Sequence, residues 1–483
     1  ARDHYLEHPN RKPKKLGANA VMLVPSSPLL SSSPPLHSPE PPPHLRMGGS
    51  TTTVVVMLIV VLHYYMLLVY GASWDEVSSE ADGPAPAEGP DDELWLPRAG
   101  PPPRVVNVDD YGAADAGVDA AEAFLAAWSE ACNSSAGRSV FLVPEGKAYL
   151  LMPVSFRGPC RAASVAAMIK GTLEAPSDRS VWLERGLQEW ITFEGVDRLR
   201  VLGGGTLDGN GMQWWINSCK LNRSARCVTG PTALYLRRCT RLVVEELQVR
   251  DSMQMHVAIA YSRDVAVSRL SITAPAWSPN TYGIHVSNSR EVSISRCTIA
   301  TGDDCVSIVT GSTFVRVTSI FCGPGHGISI GSLGANNSWA HVSDVLVEKA
   351  TLLGTTNGVR IKTWQGGYGY AERISFRDIS MRNVTNPIII DQNYCDSART
   401  TTPSSCHDQG SAVAVRNISY RNIHGTSASR VAISLVCSAA LRCDGIRMQD
   451  VYLVGEGRYA TCSYRNATVV QSGYTFPFCS AEM

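Results

Sequence analysis

The sequence predicts an all-β fold, namely a right-handed parallel β-helix with a short N-terminal capping helix. Three observations lead to this prediction. Short aliphatic segments recur beyond Leu199, a second β-branched segment follows each of them, and the Asn-Gly turns of antiparallel hairpins are scarce. Repeats of about 20–30 residues that each hold several short strands are typical of solenoids, in which every coil pairs with the coils above and below it.

The recurring segments share one pattern of aliphatic residues. They read GIHVS at 283–287, CVSIV at 305–309, GISIG at 327–331 and GVRIK at 358–362. Their first aliphatic residues are Ile284, Val306, Ile328 and Val359. The intervals between these four are 22, 22 and 31 residues, and the residue two positions further on is again aliphatic in each segment. We expect these side chains to stack and fill the lumen of the β-helix.

A second strand segment follows in each repeat. These segments are VSIS at 292–295, VRVTSI at 315–320, VLVE at 345–348 and ISFRDI at 374–379. A β-sandwich would instead require hairpins with tight turns between its strands. We therefore predict one elongated parallel β-helix domain that spans residues 105–483.

One helix precedes the repeats. Asp119 opens the segment DAAEAFLAAW, in which Glu122 is placed for a capping box. Phe124, Leu125 and Trp128 are expected to share one apolar face of this helix. We predict that the helix covers the open end of the β-helix.

Three segments precede the predicted domain. Residues 1–46 are rich in Pro and Ser, and we interpret them as a disordered extension or an artefact of the gene model. Residues 47–73 contain an apolar run between Val54 and Tyr70 and predict a signal peptide, with a signal-anchor helix as the alternative. Residues 74–104 are Pro-rich and predict a linker.

Composition limits the function and the compartment. The 483 residues carry 43 basic and 43 acidic side chains, which argues against a nucleic-acid binder that relies on many phosphate contacts. All 14 cysteines lie between Cys132 and Cys479, so we expect disulfides and an oxidising compartment. Six Asn-x-Ser/Thr sequons, which also predict secretion, start at Asn133, Asn222, Asn336, Asn383, Asn417 and Asn466.

The alignment also places polar residues in one column. Parallel strands in register lie about 4.8 Å apart, so equivalent positions of neighbouring coils stack. The positions two before the aligned aliphatic residues hold Tyr282, Asp304, His326 and Asn357. Asp303 precedes Asp304, and Arg360 and Lys362 alternate on the last of these strands. We predict an acid–base site with a pair of cations for an anionic substrate.

Each of these residues also has an ordinary explanation. The pair Asp303 and Asp304 could satisfy backbone donors in a turn. His326 could be a simple loop residue between glycines, and Arg360 and Lys362 could be solvated charges. Their common column favours a functional site over several independent coincidences.

At these residues the sequence resembles plant polygalacturonases, the pectin-cleaving glycoside hydrolases of family 28. The main matching stretches are SPNT at 278–281, TGDDC at 301–305, CGPGHGISIGSLG at 322–334 and GVRIKTW at 358–364. Flanking matches are GGGTLDGNGMQWW at 203–215, DSMQMH at 251–256 and NPIIIDQNYC at 386–395. The likeness runs from about Val105 to the C-terminus. It implies a right-handed parallel β-helix, cleavage of α-1,4-galacturonosyl linkages with inversion, and no metal or other cofactor.

The resemblance also implies catalytic roles. Asp303 would be the general acid that protonates the leaving glycosidic oxygen, Asp304 would help to activate the water, and His326 would support the protonation of the acid. Inverting hydrolysis requires an acid and a base about 6.5–9.5 Å apart, with room for water between them.

The same resemblance implies binding roles. Arg360 and Lys362 would hold the carboxylate of a galacturonate, and the planar guanidinium of Arg suits both oxygens of that group. Asn280 would bind or orient the substrate, and Cys305 and Cys322 would form a disulfide beside the site.

One position departs from the family's pattern. The family's Asn-Thr-Asp motif reads Asn280, Thr281 and Tyr282 here, so its aspartate is missing. Tyrosine, with an ordinary pKa near 10, is a poor base at the mildly acidic pH of a cell wall, and the loss of a positioned base typically costs about 10²–10⁴-fold in rate. Asp304 could act alone while Tyr282 orients the water.

Two functions fit these residues. The first is a secreted, extracellular polygalacturonase of the plant cell wall with impaired activity, and the second is a protein that binds pectin with little or no hydrolysis. A pectate lyase is disfavoured because the sequence shows no obvious acidic cluster for calcium. We expect a pectic polysaccharide as partner, no nucleic acid, no stable membrane association after signal cleavage, and a monomer.

Overall fold

The computed structural model describes residues 102–113, 117–184, 186–222, 224, 226–395, 410–457 and 459–479. The predicted segments 1–46 and 47–73 and nearly all of 74–104 lie outside the described residues, so these assignments stay predictions. No helix in the described part of the chain is both long and apolar enough to span a membrane.

Strands β1 to β30, numbered in chain order, build the fold. Their bounds are Arg104–Asn107, Arg138–Val143, Ala148–Leu150, Val154–Arg157, Ser164–Ile169, Thr172–Glu174, Glu189–Glu194, Leu199–Leu202, Thr206–Asp208, Thr232–Arg237, Thr240–Glu245, Gln248–Arg250, Val257–Ala260, Arg263–Ser268, Ser271–Thr273, Ile284–Ser287, Arg290–Ser295, Thr298–Ala300, Val306–Ile308, Ser312–Cys322, Ile328–Leu333, Trp339–Leu353, Asn357–Trp364, Tyr368–Val384, Asn386–Tyr394, Ala414–Ser427, Val431–Val436, Cys443–Gly455, Thr461–Arg465 and Ala467–Ser472. Among the described residues the helices are α1 (Ala121–Asn133), α2 (Ser180–Leu183) and α3 (Met212–Ile216), and 3-10 turns span Val108–Tyr111 and Ala335–Asn337.

The strands form two sheets of 19 and 11 strands. We call the 11-stranded sheet, which carries the candidate site, the second sheet. It consists of β4, β7, β10, β13, β16, β19, β21, β23, β25, β27 and β29. Each of its strands pairs in parallel with the equivalent strand of the next coil, as expected for a solenoid.

The register of the second sheet is the one that the sequence repeat predicts. Ile284 pairs with Val306, Val306 with Ile328, and Ile328 with Val359. These four side chains are completely buried, as are the aliphatic residues two positions further along each strand. The prediction of a right-handed parallel β-helix is therefore confirmed.

The second set of strand segments also stacks as predicted, in the 19-stranded sheet. Val292 pairs with Val315, Val315 with Val345, and Val345 with Ile374. All four side chains are buried. The lumen is therefore filled from both sheets by aliphatic side chains, and polar side chains at alternate positions face outward.

Helix α1 packs on the first coils with an aromatic face. Phe124 and Trp128 are buried, and their rings lie 5.8 Å from Phe141 and 5.2 Å from Phe156. Leu125 is 41% exposed, so its predicted place on this face is wrong. It follows Phe124 by one residue, a rotation of about 100° that turns its side chain away from the coil.

The start of α1 also differs from the prediction. The N-cap is Ala120, which provides no side-chain acceptor. Asp119 Oδ1 instead accepts hydrogen bonds from the backbone N–H groups of Ala121 and Met152, each at 3.0 Å. Asp119 thus links the start of the helix to the connection between β3 and β4, and the predicted capping box with Glu122 is not the arrangement observed.

Cysteines form most of the expected disulfides. The described pairs are Cys132–Cys160, Cys219–Cys227, Cys305–Cys322, Cys437–Cys443 and Cys462–Cys479. Cys239 and Cys297 are free thiols buried in the core. Burial raises the pKa of each of these thiols to about 11, so both stay protonated and unreactive.

Removing volume from the lumen should destabilise the stacked coils. We expect Ile328→Ala to lower the free energy of unfolding by about 2–5 kcal/mol, because a fully buried Ile leaves a cavity. The exposed Leu353 is the control, and Leu353→Ala should change stability by no more than about 0.5 kcal/mol. Urea unfolding followed by circular dichroism measures both, and equal effects would contradict the assigned lumen.

Candidate active site

The two aspartates lie in the turn between β18 and β19. Thr281, in the preceding coil, accepts a hydrogen bond at its Oγ1 from the backbone N–H of Gly302 at 2.9 Å. The Ser278 and Thr281 hydroxyls are 2.7 Å apart, so the SPNT segment forms a small polar support for this turn. The preceding coil, which contains Asn280, therefore supports the turn that carries Asp303 and Asp304.

Two glycines allow the neighbouring turns to approach closely. Gly327 has φ +82°, and a Cβ at this position would lie 2.0 Å from the carbonyl oxygen of Asn357. A Cβ at Gly302 would lie 2.0 Å from the carbonyl oxygen of Ser278. Glycine is the residue that fits at both places, since any other side chain would collide with backbone. Gly302 thus lets the turn that carries Asp303 approach the SPNT segment of the preceding coil, and Gly327 lets the turn that carries His326 approach the next coil at Asn357.

Asp303 and His326 form a pair at the surface of the site. His326 Nδ1 lies 3.1 Å from Asp303 Oδ1, and the His326 backbone N–H donates to the Asp303 carbonyl at 2.8 Å. The Asp304 backbone N–H donates to Asp303 Oδ1 at 2.8 Å, and Asn280 Nδ2 lies 3.4 Å from Oδ2. The Asp303 side chain is 10% exposed and that of His326 is 40% exposed. The pair is thus accessible from outside.

Asp304 lies deeper and is surrounded by donors. Its Oδ1 accepts hydrogen bonds from Arg360 Nη2 at 2.7 Å and from Ser329 Oγ at 2.8 Å, and its Oδ2 accepts one from Lys362 Nζ at 2.9 Å. Its side chain has no exposed surface. Burial alone would raise the pKa of Asp304, but the charges of Lys362 and Arg360 outweigh it and hold the pKa below the ordinary value. Asp304 is therefore a carboxylate.

The structure refines two expectations for these residues. One oxygen each of Asp303 and Asp304 and one ring nitrogen of His326 lie within 4.8 Å of one another. The two carboxyl groups are thus closer than the about 6.5–9.5 Å typical of inverting pairs, because they are consecutive residues of one turn. Arg360 and Lys362 contact Asp304 itself, which leaves the three groups with a net charge of +1 for an incoming anion.

The same cluster has the donor types of a cation site, since it offers two carboxylates and an imidazole. The side chains around it do not fit this use. Arg360 and Lys362 already donate to both oxygens of Asp304, and their charges oppose a metal ion. The cluster is thus better suited to an anionic ligand.

Tyr282 lies one coil before Asp304, as the alignment predicts. The Gly283 backbone N–H donates to the Asp304 carbonyl at 3.0 Å, so the two positions are adjacent. The Tyr282 ring is half-buried and meets the ring of His285 edge-on at 6.1 Å. The carbonyl of Tyr282 accepts a hydrogen bond from the His256 backbone N–H at 2.9 Å. Tyr282 thus stands beside the aspartates without providing a carboxylate.

Sequence reasoning missed three polar residues in the neighbouring column. His285, Ser307, Ser329 and Arg360 pair in sequence across four strands and face outward. His285 Nδ1 lies 2.7 Å from Ser307 Oγ, and Arg360 Nε donates to Ser329 Oγ at 3.1 Å. Each of these residues directly follows one of the four aligned aliphatic residues. The sequence repeat could therefore have predicted this column as well.

Buried histidines border the site. Burial lowers the pKa of His285 to about 4, although the nearby charge of Asp304 opposes this shift. Burial likewise lowers the pKa of His256 to about 4 against its contacts with the carbonyls of Tyr282 and Thr273. His256 Nδ1 lies 2.9 Å from the Tyr282 oxygen and Nε2 lies 3.2 Å from the Thr273 oxygen. Both imidazoles are thus neutral above about pH 4.

This arrangement can be compared with known proteins. Residues 132–472 match the family described as glycosyl hydrolases family 28. The chain belongs to this family. A polygalacturonase of Persea americana is 49% identical over 368 residues, which cover 76% of this chain and 78% of that protein. A polygalacturonase of Malus domestica is 48% identical over 379 residues, which cover 78% of this chain and 80% of that protein.

Solved structures support the fold of this family 28 chain. The endo-xylogalacturonan hydrolase of Aspergillus tubingensis superposes with a TM-score of 0.64 at 24% identity over 77% of this chain and 100% of that chain. The polygalacturonase of Erwinia carotovora superposes with a TM-score of 0.62 at 20% identity over 78% of this chain and 99% of that chain. At these identities the likeness concerns the architecture of the β-helix.

The lowered pKa of His256 predicts a pH-dependent stability for this family 28 chain. Between pH 6.5 and about 4 the unfolded state binds a proton at His256 and the folded state does not, so stability falls as pH falls. We expect His256→Gln to remove about 2–3 kcal/mol of this loss. Urea unfolding at pH 7, 5.5 and 4.5 measures it.

The exposed His424 is the matched control, because its replacement by Gln removes an imidazole without removing a buried one. The stability of His424→Gln should depend on pH as that of the native chain does. Identical pH slopes for native protein and His256→Gln would show that His256 is not neutral in the folded state.

Proposed function

We propose that this protein hydrolyses α-1,4-galacturonosyl linkages of pectin with inversion and at a reduced rate. The observation that carries the proposal is the cluster in which the Asp303–His326 pair lies within 4.8 Å of Asp304, whose carboxylate binds Arg360 and Lys362. Membership of glycosyl hydrolases family 28 and relatives named polygalacturonases support it.

The substrate class follows from the charges. A galacturonate unit carries one carboxylate, and Asp304, Arg360 and Lys362 together carry one positive charge in excess. Arg360 and Lys362 would share this excess with the sugar carboxylate, which Arg can bind through two N–H groups. A solved endopolygalacturonase of Stereum purpureum is described as complexed with two galacturonate, which agrees with an acidic sugar as ligand of this fold.

The acid in this proposal is Asp303. Its Oδ2 is near the amide of Asn280, and its other oxygen faces His326 Nδ1, so the proton given to the leaving oxygen could be replaced through the exposed imidazole. The hydrogen bond from the His326 backbone N–H to the Asp303 carbonyl holds the imidazole next to the Asp303 carboxyl group, as this role requires. Asn280 would orient the sugar next to the acid.

The proposed catalytic site lacks a good general base. Asp304 is the remaining carboxylate, and its three donors and lowered pKa make it a poor proton acceptor. The position of the missing second carboxylate is held by Tyr282. We therefore propose slow hydrolysis, and we keep the pectin-binding protein without turnover as the alternative that Tyr282 favours.

The proposed location is the cell wall outside the plasma membrane. Disulfides and six sequons, all on exposed asparagines, support passage through an oxidising secretory compartment. The monomeric state and the removal of a signal segment stay predictions.

Restoring the carboxylate tests the proposal. We expect native protein to release reducing ends slowly from polygalacturonic acid, and Tyr282→Asp to raise kcat by about 10²–10⁴-fold because a second carboxylate would activate the water. Tyr261→Asp is the control, since Tyr261 is an exposed tyrosine of the preceding coil and should leave the rate unchanged. Native protein that binds oligogalacturonide without any turnover would establish the binding alternative.

Removing the acid separates catalysis from binding. We expect Asp303→Asn to reduce hydrolysis by at least about 10²-fold in the native and the Tyr282→Asp chains, while oligogalacturonide binding measured by calorimetry stays within a few fold. The exposed Asp264 provides the control Asp264→Asn, which should behave as its parent. Retained activity in Asp303→Asn would remove Asp303 from the acid role.

A further inference from the structure

A group of arginines lies on the second sheet at a distance from the aspartates. Arg157, Glu194 and Arg237 are register partners on β4, β7 and β10, and Arg238 follows directly. Arg157 Nε, Arg237 Nε and Arg238 Nη1 lie 3.8, 3.7 and 3.0 Å from carboxylate oxygens of Glu194. We call these four residues the upstream arginine cluster.

The cluster has more positive charge than its fold requires. Three guanidinium groups share one carboxylate, so the net charge is +2. Within 4 Å, no second carboxylate of the described residues is paired with these arginines. Their side chains are 73%, 36% and 59% exposed, in the order Arg157, Arg237 and Arg238. One arginine would be enough to neutralise Glu194. Each additional arginine repels the others, and its exposed ion pair with Glu194 contributes little stability.

The cluster faces the same way as the candidate site. Tyr235, two residues before Arg237, lies in a continuous outward-facing column that runs from it through Ala258, His285, Ser307 and Ser329 to Arg360. Side chains two apart on a strand share a face, so Arg237 points to the same side as this column. Five steps separate Tyr235 from Arg360, which at about 4.8 Å per step is about 24 Å.

Part of the surface between the two charged regions, on the coils from β7 to β16, is concave and nearly free of charge. A depression of about 250 Å³ lies here, lined by Tyr235, Ala258, His285, Ser287 and other residues, and Glu189 is the charged side chain among those that line it. His285 is neutral above about pH 4. An extended chain that follows the column from Tyr235 to Arg360 would cross this depression and would be long enough to reach both charged regions.

The geometry points to a second anion-binding site, and we propose that the upstream arginine cluster binds a carboxylate of the same galacturonan chain several sugar units from Asp303. This inference rests on the proposed function, because it takes the same polymer as ligand. The spacing selects long chains with free carboxylates over short or fully esterified ones. A bound carboxylate would then neutralise part of the surplus positive charge. A purely structural role would leave this surplus charge without a partner.

Binding of two chain lengths tests the site. In the Asp303→Asn protein, which keeps the oligomer intact, Arg157→Gln with Arg238→Gln leaves the neutral pair Arg237–Glu194 and removes the surplus charge. We expect a nonagalacturonide to bind about 5- to 30-fold more weakly to this variant and a trigalacturonide to bind as before. The loss should shrink at high salt, because the contacts are exposed ion pairs.

Two comparisons make the result decisive. Arg241→Gln with Arg290→Gln removes two arginines of similar exposure from the 19-stranded sheet and should leave both affinities unchanged. The fully methyl-esterified nonagalacturonide should bind with equal affinity to the variant with Arg157→Gln and Arg238→Gln and to its parent. Equal losses for both chain lengths, or no loss for the nonagalacturonide, would overturn the second anion-binding site. A parent protein that binds neither oligomer would instead overturn the proposed function and, with it, the second anion-binding site.

Discussion

The alignment of equivalent residues from coil to coil is the constraint on which the rest of the structure depends. Parallel pairing at about 4.8 Å fixes the distance between neighbouring coils, and the buried series from Ile284 to Val359 fixes which residues face each other. A slip of one residue would turn the aliphatic side chains outward and the polar ones inward. Residues 280 and 360, eighty positions apart in sequence, therefore serve one surface.

Within that framework, the buried charge of Asp304 determines how the site is organised. A carboxylate without solvent is tolerated here because Arg360, Lys362 and Ser329 supply donors to both of its oxygens. Removing one member of such a buried pair typically costs about 3–5 kcal/mol, so these residues hold the coils together in addition to the anion-binding role proposed for them. The arrangement that positions the cations also weakens Asp304 as a base, and Tyr282 does not compensate for this.

The sequence could predict what depends on periodicity and not what depends on side-chain direction. The stacking of Tyr282, Asp304 and His326 follows from the spacing of the aliphatic residues. Side chains alternate between the two faces of a strand, so aligning the buried aliphatic residues also aligns the residues at fixed offsets from them. The direct contact of Arg360 with Asp304 depends on rotamers and burial, which spacing does not encode. Leu125 and Cys297 show the same limit: the former is exposed on an apolar-looking helix, and the latter is a thiol in a chain with an even number of cysteines.

The aromatic face of α1 has a consequence for assembly. The first coil of a parallel β-helix would otherwise present unpaired N–H and C=O groups along an open edge, which is a template for another chain. Phe124 and Trp128 fasten a helix onto these first coils, and a helix has no free backbone donors along its sides to offer a strand. The 13-residue helix thereby blocks strand-by-strand growth into fibrils from these first coils, and the repetitive architecture does not present a free edge for polymerisation at this end.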